Sequence, residues 1–593
     1  MCGIFSYIGP RQEAKQITVE GLKKLEYRGY DSWGIAFKKD NSDLEIFRRV
    51  GKISDADENT YNNNEKSSIA IGHSRWATHG GVHEHNAHPH FSENKDIALV
   101  HNGIFENYAE IKKELQDKGY TFRSDTDTEV AAYLIEDIMK EGLDVKEATK
   151  KAVSKLHGRY AILVINKFDD SLITARRGSP LIIGAGDNEY FVASDVPAFL
   201  KYTNKVMYLD DDQMAVITKD GITFFDLESN QEIDKRIIEV NMSDEEAELG
   251  EHPHFMIKEI WDQKDSIVRA INQDETKILE LADKINSAFG TYFVGCGTAG
   301  KVGLCGIYIF SKVAKKHINF EFGSEFESLS HFIKEGSLVV AISQSGETAD
   351  TLEALEIAKE KGATLVSIVN VESSTMARMT DFTLPIKAGQ EKAVASTKAT
   401  TSQLAIVTLL AYATAGKLDE GKHLLIETAA KINDMLNPRY EEHIKALAKK
   451  IADNESMYII GKGANYPMAL EAAIKLQEVS YIHAEGFAGG ELKHGPLALI
   501  SEGTPVIVFA PKDETHTHII SNAKEIQARG GFIIGVSPEN NEVFDYWIKV
   551  PESDVDSPIV NIIPVQILAY HLALIKNNDP DKPRNLAKSV TVK

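Results

Sequence analysis

An apolar run, a G-x-G turn and a helix-forming stretch occur twice in this chain, as TYFVGCGTAGKVG at 291–303 and SMYIIGKGANYPM at 456–468. Each copy reads as a strand running directly into a helix, and such self-similarity marks two related units. Runs such as Leu338–Ile342 and Pro505–Ala510 are almost wholly apolar, as expected of parallel strands covered by helices on both faces. The helical stretches ETADTLEALEIAKEKG (347–362) and TSQLAIVTLLAYATAG (401–416) follow the strands. The pattern predicts two doubly wound α/β subdomains, 255–435 and 436–593.

The texture before residue 240 is different. Short strand-like pieces, Ile69–Ile71, Ala98–Val100, Tyr160–Ile165 and Leu181–Ile183, alternate with turns and a helix in EVAAYLIEDIMKEG, which predicts an α+β domain of packed sheets over 1–240. The acidic stretch NMSDEEAELGEHPH, 241–254, reads as a solvated linker. At about 150 residues per domain, 593 residues give roughly four units, and 43% hydrophobic against 26% charged residues excludes a broadly disordered chain. A net charge of −22 repels nucleic acid and anionic membrane surfaces, so any anionic ligand needs local donors. Three cysteines form no disulfide framework, and the start MCGIFSYIGPRQ lacks the basic and apolar regions of a signal peptide, which points to the cytoplasm. The apolar stretches Leu404–Ala415 and Ile562–Ile575 fall short of a bilayer span, and Pro564, Gln566 and His571 interrupt the second.

Cys2 carries the sharpest chemistry. Removal of Met1 would place a thiol and a free α-amine on one residue, and an amine of pKa near 7.7–8.0 can take the thiol proton with no separate histidine. A small buried residue opening an N-terminal strand is the alternative. The segments MCGIF, LEYRGYDS (25–32), GHSRWATHG (72–80), NAHPH (86–90), HNGIFEN (101–107) and SDTDTE (124–129) together resemble the N-terminal-nucleophile glutamine amidotransferases. The resemblance implies that Cys2 attacks the glutamine amide, that Asn102 and the Gly103 N–H form the oxyanion hole, and that Arg75 and Asp127 bind the α-carboxylate and α-ammonium. It places Trp76, Thr78, His79 and His88 around the glutamine. A surface ion pair for Arg75, a helix N-cap for Asp127 and a packed core position for Trp76 are the structural alternatives. The histidines at 73, 79, 83, 85, 88 and 90 lie on a turn-rich segment without a helical H-x-x-x-H pair, so no metal is expected.

In the second block, LVVAISQSGETADTLEAL (338–355) is a buried strand, a hydroxyl-rich turn and a helix. Ser343, Gln344, Ser345 and Thr348 sit where unpaired helix amides and hydroxyls can converge on a phosphate, or simply cap the helix. SQSGETADT, CGTA (296–299) and VASTKATTSQL (394–404) resemble the sugar isomerase (SIS) module, and PRNLAKSVTV (583–592) resembles the tail of the isomerising glutamine–fructose-6-phosphate aminotransferase family, also called glucosamine-6-phosphate synthases. That likeness covers essentially the whole chain. It implies Lys588 as the Schiff-base amine, Glu478 as the base moving a proton between C1 and C2, Lys475 as its neighbour, and His494 in ring opening, donated across a homodimer. Thr298, Ser396, and the backbones of Val394 and Ala587 complete the sugar pocket in that family. The implied reaction converts glutamine and fructose 6-phosphate to glutamate and glucosamine 6-phosphate, the first committed step of amino sugar synthesis, with channelled ammonia and no cofactor. From the residues alone, Lys475 and Glu478 share one helix face and an exposed pair is the commoner outcome; Lys588 reads as a solvated terminal lysine and His494 as a turn residue. Ala299, where many relatives carry serine, Trp33 and the final Lys593 depart from the pattern. Other amidotransferases would need a nucleotide or pyrophosphate site, and no G-x-x-x-x-G-K-[ST] loop is present. A phosphosugar sensor that only kept the fold would not need the nucleophile, oxyanion donors and tail lysine together.

Overall fold

The computed structural model describes residues 2–39, 42–57, 61, 65–77, 79–240 and 249–591. Thr78 and residues 241–248 of the acidic linker lie outside these described residues. The chain divides into two compact units, Met1–Glu246 with Ala587–Lys593, and Ala247–Leu586.

The first unit holds an eight-stranded and a seven-stranded sheet, both built of antiparallel pairs. Alternation along the strands gives each sheet two apolar faces. Ile4, Ile71 and Ile183 of one sheet meet Ala98, Leu163 and Ile217 of the other in a shared core. Helix Ala14–Lys24 covers the outer face of the first sheet through Leu22 against Phe5 and Ile35. Helices Tyr108–Asp117, Asp127–Met139 and Val145–Val153 cover the second. The result is an α+β sandwich with the strands in the two middle layers. The expected strand Ile69–Ile71 extends to Arg75, and Ala98–Val100 to Gly103, which brings both Arg75 and Asn102 onto strand ends.

The second unit contains two five-stranded parallel sheets of the same order, each with its first strand between its second and third. The repeated turn has a repeated cause. Gly297 and Gly463 both take positive φ, at 54° and 58°. A Cβ on Gly461 would lie 2.1 Å from the Asn465 carbonyl oxygen, so the strand can enter the helix this tightly only through glycine.

The halves 255–435 and 436–593 share one continuous core, running through Phe293 and Val340 of one sheet, Ile459 and Ile507 of the other, and Leu568. Of the last residues, 587–591 group with the first unit. The apolar stretch near the end is also longer than expected: one helix runs Ser557–Ile575 through Pro564, with mean hydropathy 1.7, long and apolar enough to cross a membrane. Of its most apolar window 89% is buried inside the protein, as in a core helix. Two of its polar side chains meet other elements, Gln566 Oε1 accepting from Gln263 at 2.8 Å and His571 facing Glu441 at 3.2 Å.

Candidate active sites

Cys2 immediately precedes strand Gly3–Ile8, at the point where that strand meets the ends of its sheet neighbours. The Trp76 N–H donates to Cys2 Sγ at 3.3 Å. Burial pushes the thiol pKa up, against the pull of the chain's terminal ammonium, of that N–H and of the Arg75 and Arg28 cations. The Cys2 carbonyl is held by Arg28 Nε at 3.2 Å and Asn102 Nδ2 at 3.1 Å.

The Asn102 amide has one orientation for a traceable reason. His73 Nε2 lies 3.0 Å from both the His101 carbonyl and Asn102 Oδ1. A carbonyl only accepts, so this nitrogen carries the proton, Asn102 Oδ1 accepts, and Nδ2 is turned toward Cys2. Burial, with Arg75 nearby, lowers the His73 pKa to about 3, and burial lowers that of His101 to about 4 against Asp127, which keeps both rings neutral near pH 7. Gly103 follows with φ of 121°, where a Cβ would stand 1.9 Å from the Arg159 carbonyl oxygen. Only glycine presents the backbone in this way.

Arg75 is 3% exposed and is no surface ion pair: its guanidinium donates to the carbonyls of His79, Gly80 and Gly81. Asp127 is not an N-cap. Thr126 holds that position and Asp127 is the first helical residue, its carboxylate accepting the Phe105 N–H at 2.9 Å. Arg75, Trp76, His79, His88, Asn102, Gly103 and Asp127 line one pocket with Cys2, together with Thr591 from the tail. His73, His88 and His90 pack ring against ring, 4.2 and 5.0 Å between centroids. Trp33 fills core space against Phe47 and Tyr61.

The sugar-phosphate candidates lie at the carboxyl ends of parallel strands, the usual ligand edge of such sheets. Thr298 opens helix Gly297–Val313 after strand Gly290–Gly295, and Ser343 ends the adjacent strand Ser337–Ser343. Ser343 Oγ accepts the Gly346 N–H at 3.0 Å and Ser345 Oγ the Glu347 N–H at 3.2 Å, which shape the turn, while the Gln344 carbonyl accepts from Asn370. Thr348 is the N-cap of helix Ala349–Glu360 but makes no side-chain cap bond. The capping alternative is therefore unused at Thr348, and its hydroxyl faces Ser343 Oγ at 3.4 Å.

Helix Asn465–Ser480 adds the charges. Lys475, fully buried, pairs with Glu471 at 3.3 Å and Glu478 at 2.5 Å and donates to Thr298 Oγ1 at 3.3 Å. An exposed i,i+3 pair is thus excluded. Burial disfavours the ammonium, but Glu471 and Glu478 outweigh it and raise the Lys475 pKa. Burial raises that of Glu471, whose Oε1 accepts from Thr298 at 3.0 Å. Ser396 donates to Glu391 at 3.3 Å, and the Val394 N–H to the Asp581 carbonyl at 3.0 Å. His494 lies exposed on the turn Glu491–His494, and among the described residues no hydrogen bond joins it to the others. Ala587 and Lys588 are half-buried in the tail that packs with the first unit. Ala299 packs against the core.

Residues 38–235 match the glutamine amidotransferase domain family, and residues 284–413 and 450–576 match the SIS domain family. The glutamine--fructose-6-phosphate aminotransferase [isomerizing] of Thermococcus kodakarensis is 44% identical over 606 aligned residues, covering 100% of both chains. That of Bacteroides thetaiotaomicron is 40% identical over 617, again covering all of both. The chain belongs to the isomerising glutamine–fructose-6-phosphate aminotransferase family. Among solved structures, the C-terminal domain of glucosamine-fructose-6-phosphate aminotransferase from Francisella tularensis covers 57% of this chain and 100% of its own, with TM-score 0.53 and 34% identity. Tagatose-6-phosphate ketose/aldose isomerase from Escherichia coli, 16% identical with TM-score 0.50, shares fold alone.

For this aminotransferase, sequence reasoning missed His73, Arg28 and Glu471. His73 stands inside GHSRWATHG and Arg28 inside LEYRGYDS, so the motifs flagged their neighbourhood. Glu471 had a spacing signal, one turn before Lys475 on the same helix face. Its burial did not show in the spacing.

Proposed function

We propose that this chain hydrolyses glutamine at Cys2 within residues 1–240 and transfers the ammonia to fructose 6-phosphate held by residues 255–593, yielding glutamate and glucosamine 6-phosphate. The observation that carries the first half is Cys2 Sγ beside the Trp76 N–H in a pocket that also holds the Asn102 amide, Arg75 and Asp127. With Met1 removed, the Cys2 α-amine takes the thiol proton and the thiolate attacks the side-chain amide carbon. Asn102 Nδ2 and the Gly103 N–H stabilise the oxyanion, each neutral donor contributing about 3–4 kcal/mol. Collapse to the thioester breaks the C–N bond as the Cys2 α-ammonium returns its proton to the leaving nitrogen, which departs as ammonia; water then cleaves the thioester to glutamate and frees the thiol. Arg75 would exchange loop carbonyls for the glutamine α-carboxylate, with Asp127 on the α-ammonium, and Trp76, Thr78, His79 and His88 around them.

In the sugar site, the turn Ser343–Thr348 and the start of helix Ala349–Glu360 hold the phosphate through neutral donors, which suits a protein of net charge −22. His494 from a second copy assists ring opening, Lys588 forms a Schiff base at C2 of the open-chain ketose with loss of water, ammonia displaces the lysine by transimination and so frees Lys588, and Glu478, oriented by Lys475, moves a proton from C1 to C2 so that the amino aldose emerges. Thr298, Ser396 and the backbones of Val394 and Ala587 position the sugar. Separate hydrolysis and amination sites require a passage that keeps ammonia from protonation in water. All three cysteines are unpaired, in keeping with a cytoplasmic enzyme that relies on a free thiol.

The deciding experiment supplies glutamine and fructose 6-phosphate and quantifies both products. Equal amounts of glutamate and glucosamine 6-phosphate are expected, with no ammonia trapped by added glutamate dehydrogenase. Glutamate without amino sugar would reduce the chain to a glutaminase, and retention of Met1 in the active protein would remove the proposed base.

A further inference from the structure

Three consecutive backbone N–H groups in the loop carrying Val394 and Ser396 are donated to two acidic residues from distant parts of the chain. Lys392 donates to Glu259 Oε1 at 2.5 Å, and Ala393 to the same oxygen at 3.4 Å. Val394 donates to the main-chain carbonyl of Asp581 at 3.0 Å. The Asp581 carboxylate receives the N–H groups of Phe255 at 2.9 Å and Met256 at 2.7 Å, the first residues of helix Phe255–Trp261. That same helix carries Glu259. The hydrogen bonds therefore close a ring: Asp581 to the helix start, along one turn to Glu259, across to residues 392–394, and back to Asp581.

Local chemistry explains why the ring uses these acids. His254 occupies the N-cap of helix Phe255–Trp261 without a side-chain cap bond, its ring engaged by the Tyr570 hydroxyl at 3.0 Å. The orphan N–H groups and the positive end of the helix dipole are met instead by a carboxylate more than 300 positions later in sequence. Glu259 is 1% exposed and accepts the backbone N–H groups of Lys392 and Ala393. The ring joins the helix that follows the linker, the sugar-pocket loop, and the chain just before Ala587 and Lys588.

We propose that Glu259 and Asp581 are positioning residues for the sugar reaction, setting the loop of Val394 and Ser396 and the departure point of the Lys588 tail in one register. The inference rests on assigning Val394, Ser396 and Lys588 to the sugar site. Binding of fructose 6-phosphate at the loop and placement of the tail are then one event.

The test uses full-length Asp581→Asn, Glu259→Gln and the double variant. Asp581→Asn turns an NH₂ group toward a helix N–H, and losing one charge-assisted bond is expected to raise the fructose 6-phosphate KM on the order of tenfold. Glutamate should then exceed amino sugar, while sugar-independent glutamine hydrolysis stays within about twofold. Glu259→Gln keeps an acceptor and has the smaller effect; the double variant is no worse than Asp581→Asn, because either change opens the same ring. Wild-type KM and product ratio in the single variants, or glutaminase and synthase falling in equal proportion, would overturn the proposal. Should Asp581→Asn fail to fold, Glu259→Gln carries the same comparison. If Lys588→Ala still makes amino sugar, the site assignment fails; if it does not, and the ring variants behave as wild type, the ring alone fails.

Discussion

At the residue scale, the proposed hydrolytic site depends on neutral donors held in one orientation. His73 Nε2–H donates to Asn102 Oδ1, and so fixes which end of the amide faces Cys2. Asn102→Ala is expected to lower glutamine kcat by about 10²–10³, the usual cost of one oxyanion donor, with glutamate release as the measurement. Cys2→Ala removes the nucleophile itself and should lower glutamate release by about a thousandfold or more. The same burial that keeps His73 and His101 neutral has a linkage consequence. Their folded pKa values, about 3 and about 4, lie below the ordinary 6.5, so the unfolded chain binds more protons as pH falls. Their contribution is intact above about pH 6.5 and declines below it by up to about 1.4 kcal/mol per pH unit for each ring. Urea unfolding of strand Ile69–Arg75, followed by hydrogen exchange at descending pH, should show that decline. Cys2, Arg75, Asn102 and Asp127 were legible in sequence through their motifs, whereas the role of His73 was not, because it consists entirely of whom the ring touches.

At the scale of elements, helix Asn465–Ser480 and the turn before helix Ala349–Glu360 invite opposite tests. Lys475 and Glu471 are both fully buried, so Lys475→Ala leaves a buried carboxylate without its ammonium and is expected to cost about 3–5 kcal/mol, measured by denaturant unfolding. Replacing both by uncharged residues of similar volume should cost much less. Thr348, by contrast, makes no cap bond in the free protein. Thr348→Ala should therefore leave unfolding unchanged within about 0.5 kcal/mol while raising the fructose 6-phosphate KM. A hydroxyl that merely capped its helix would reverse that order. Strand and helix types were readable from periodicity, as in helix Lys398–Thr414, where the long apolar run announced a buried element. Helix Ser557–Ile575 shows the limit of such reading: Pro564, Gln566 and His571 suggested an interruption, yet Gln263 and Glu441 from elsewhere in the unit meet Gln566 and His571, and the helix continues.

At the scale of the whole molecule, the proposed donation of His494 by a second copy has a mixing test. Subunits of His494→Ala and Lys588→Ala, each inactive alone, should regain about a quarter of wild-type synthase activity on random reassortment into dimers, since each mixed dimer holds one intact site. No recovery would place His494 in its own subunit's site. The sequence by itself determined the element types, the repeat of strand, G-x-G turn and helix, and the candidate nucleophile, because these are set by local periodicity, glycine conformation and residue chemistry within short windows. Tertiary structure alone decided that the two repeats share one core and that residues 587–591 group with the first unit. It also decided that Glu471 and Lys475 are buried together, and that Asp581 caps a helix begun more than 300 positions earlier. Each of these is a choice of partner across long stretches of chain, and burial and hydrogen bonding at a residue depend on which distant segment arrives beside it.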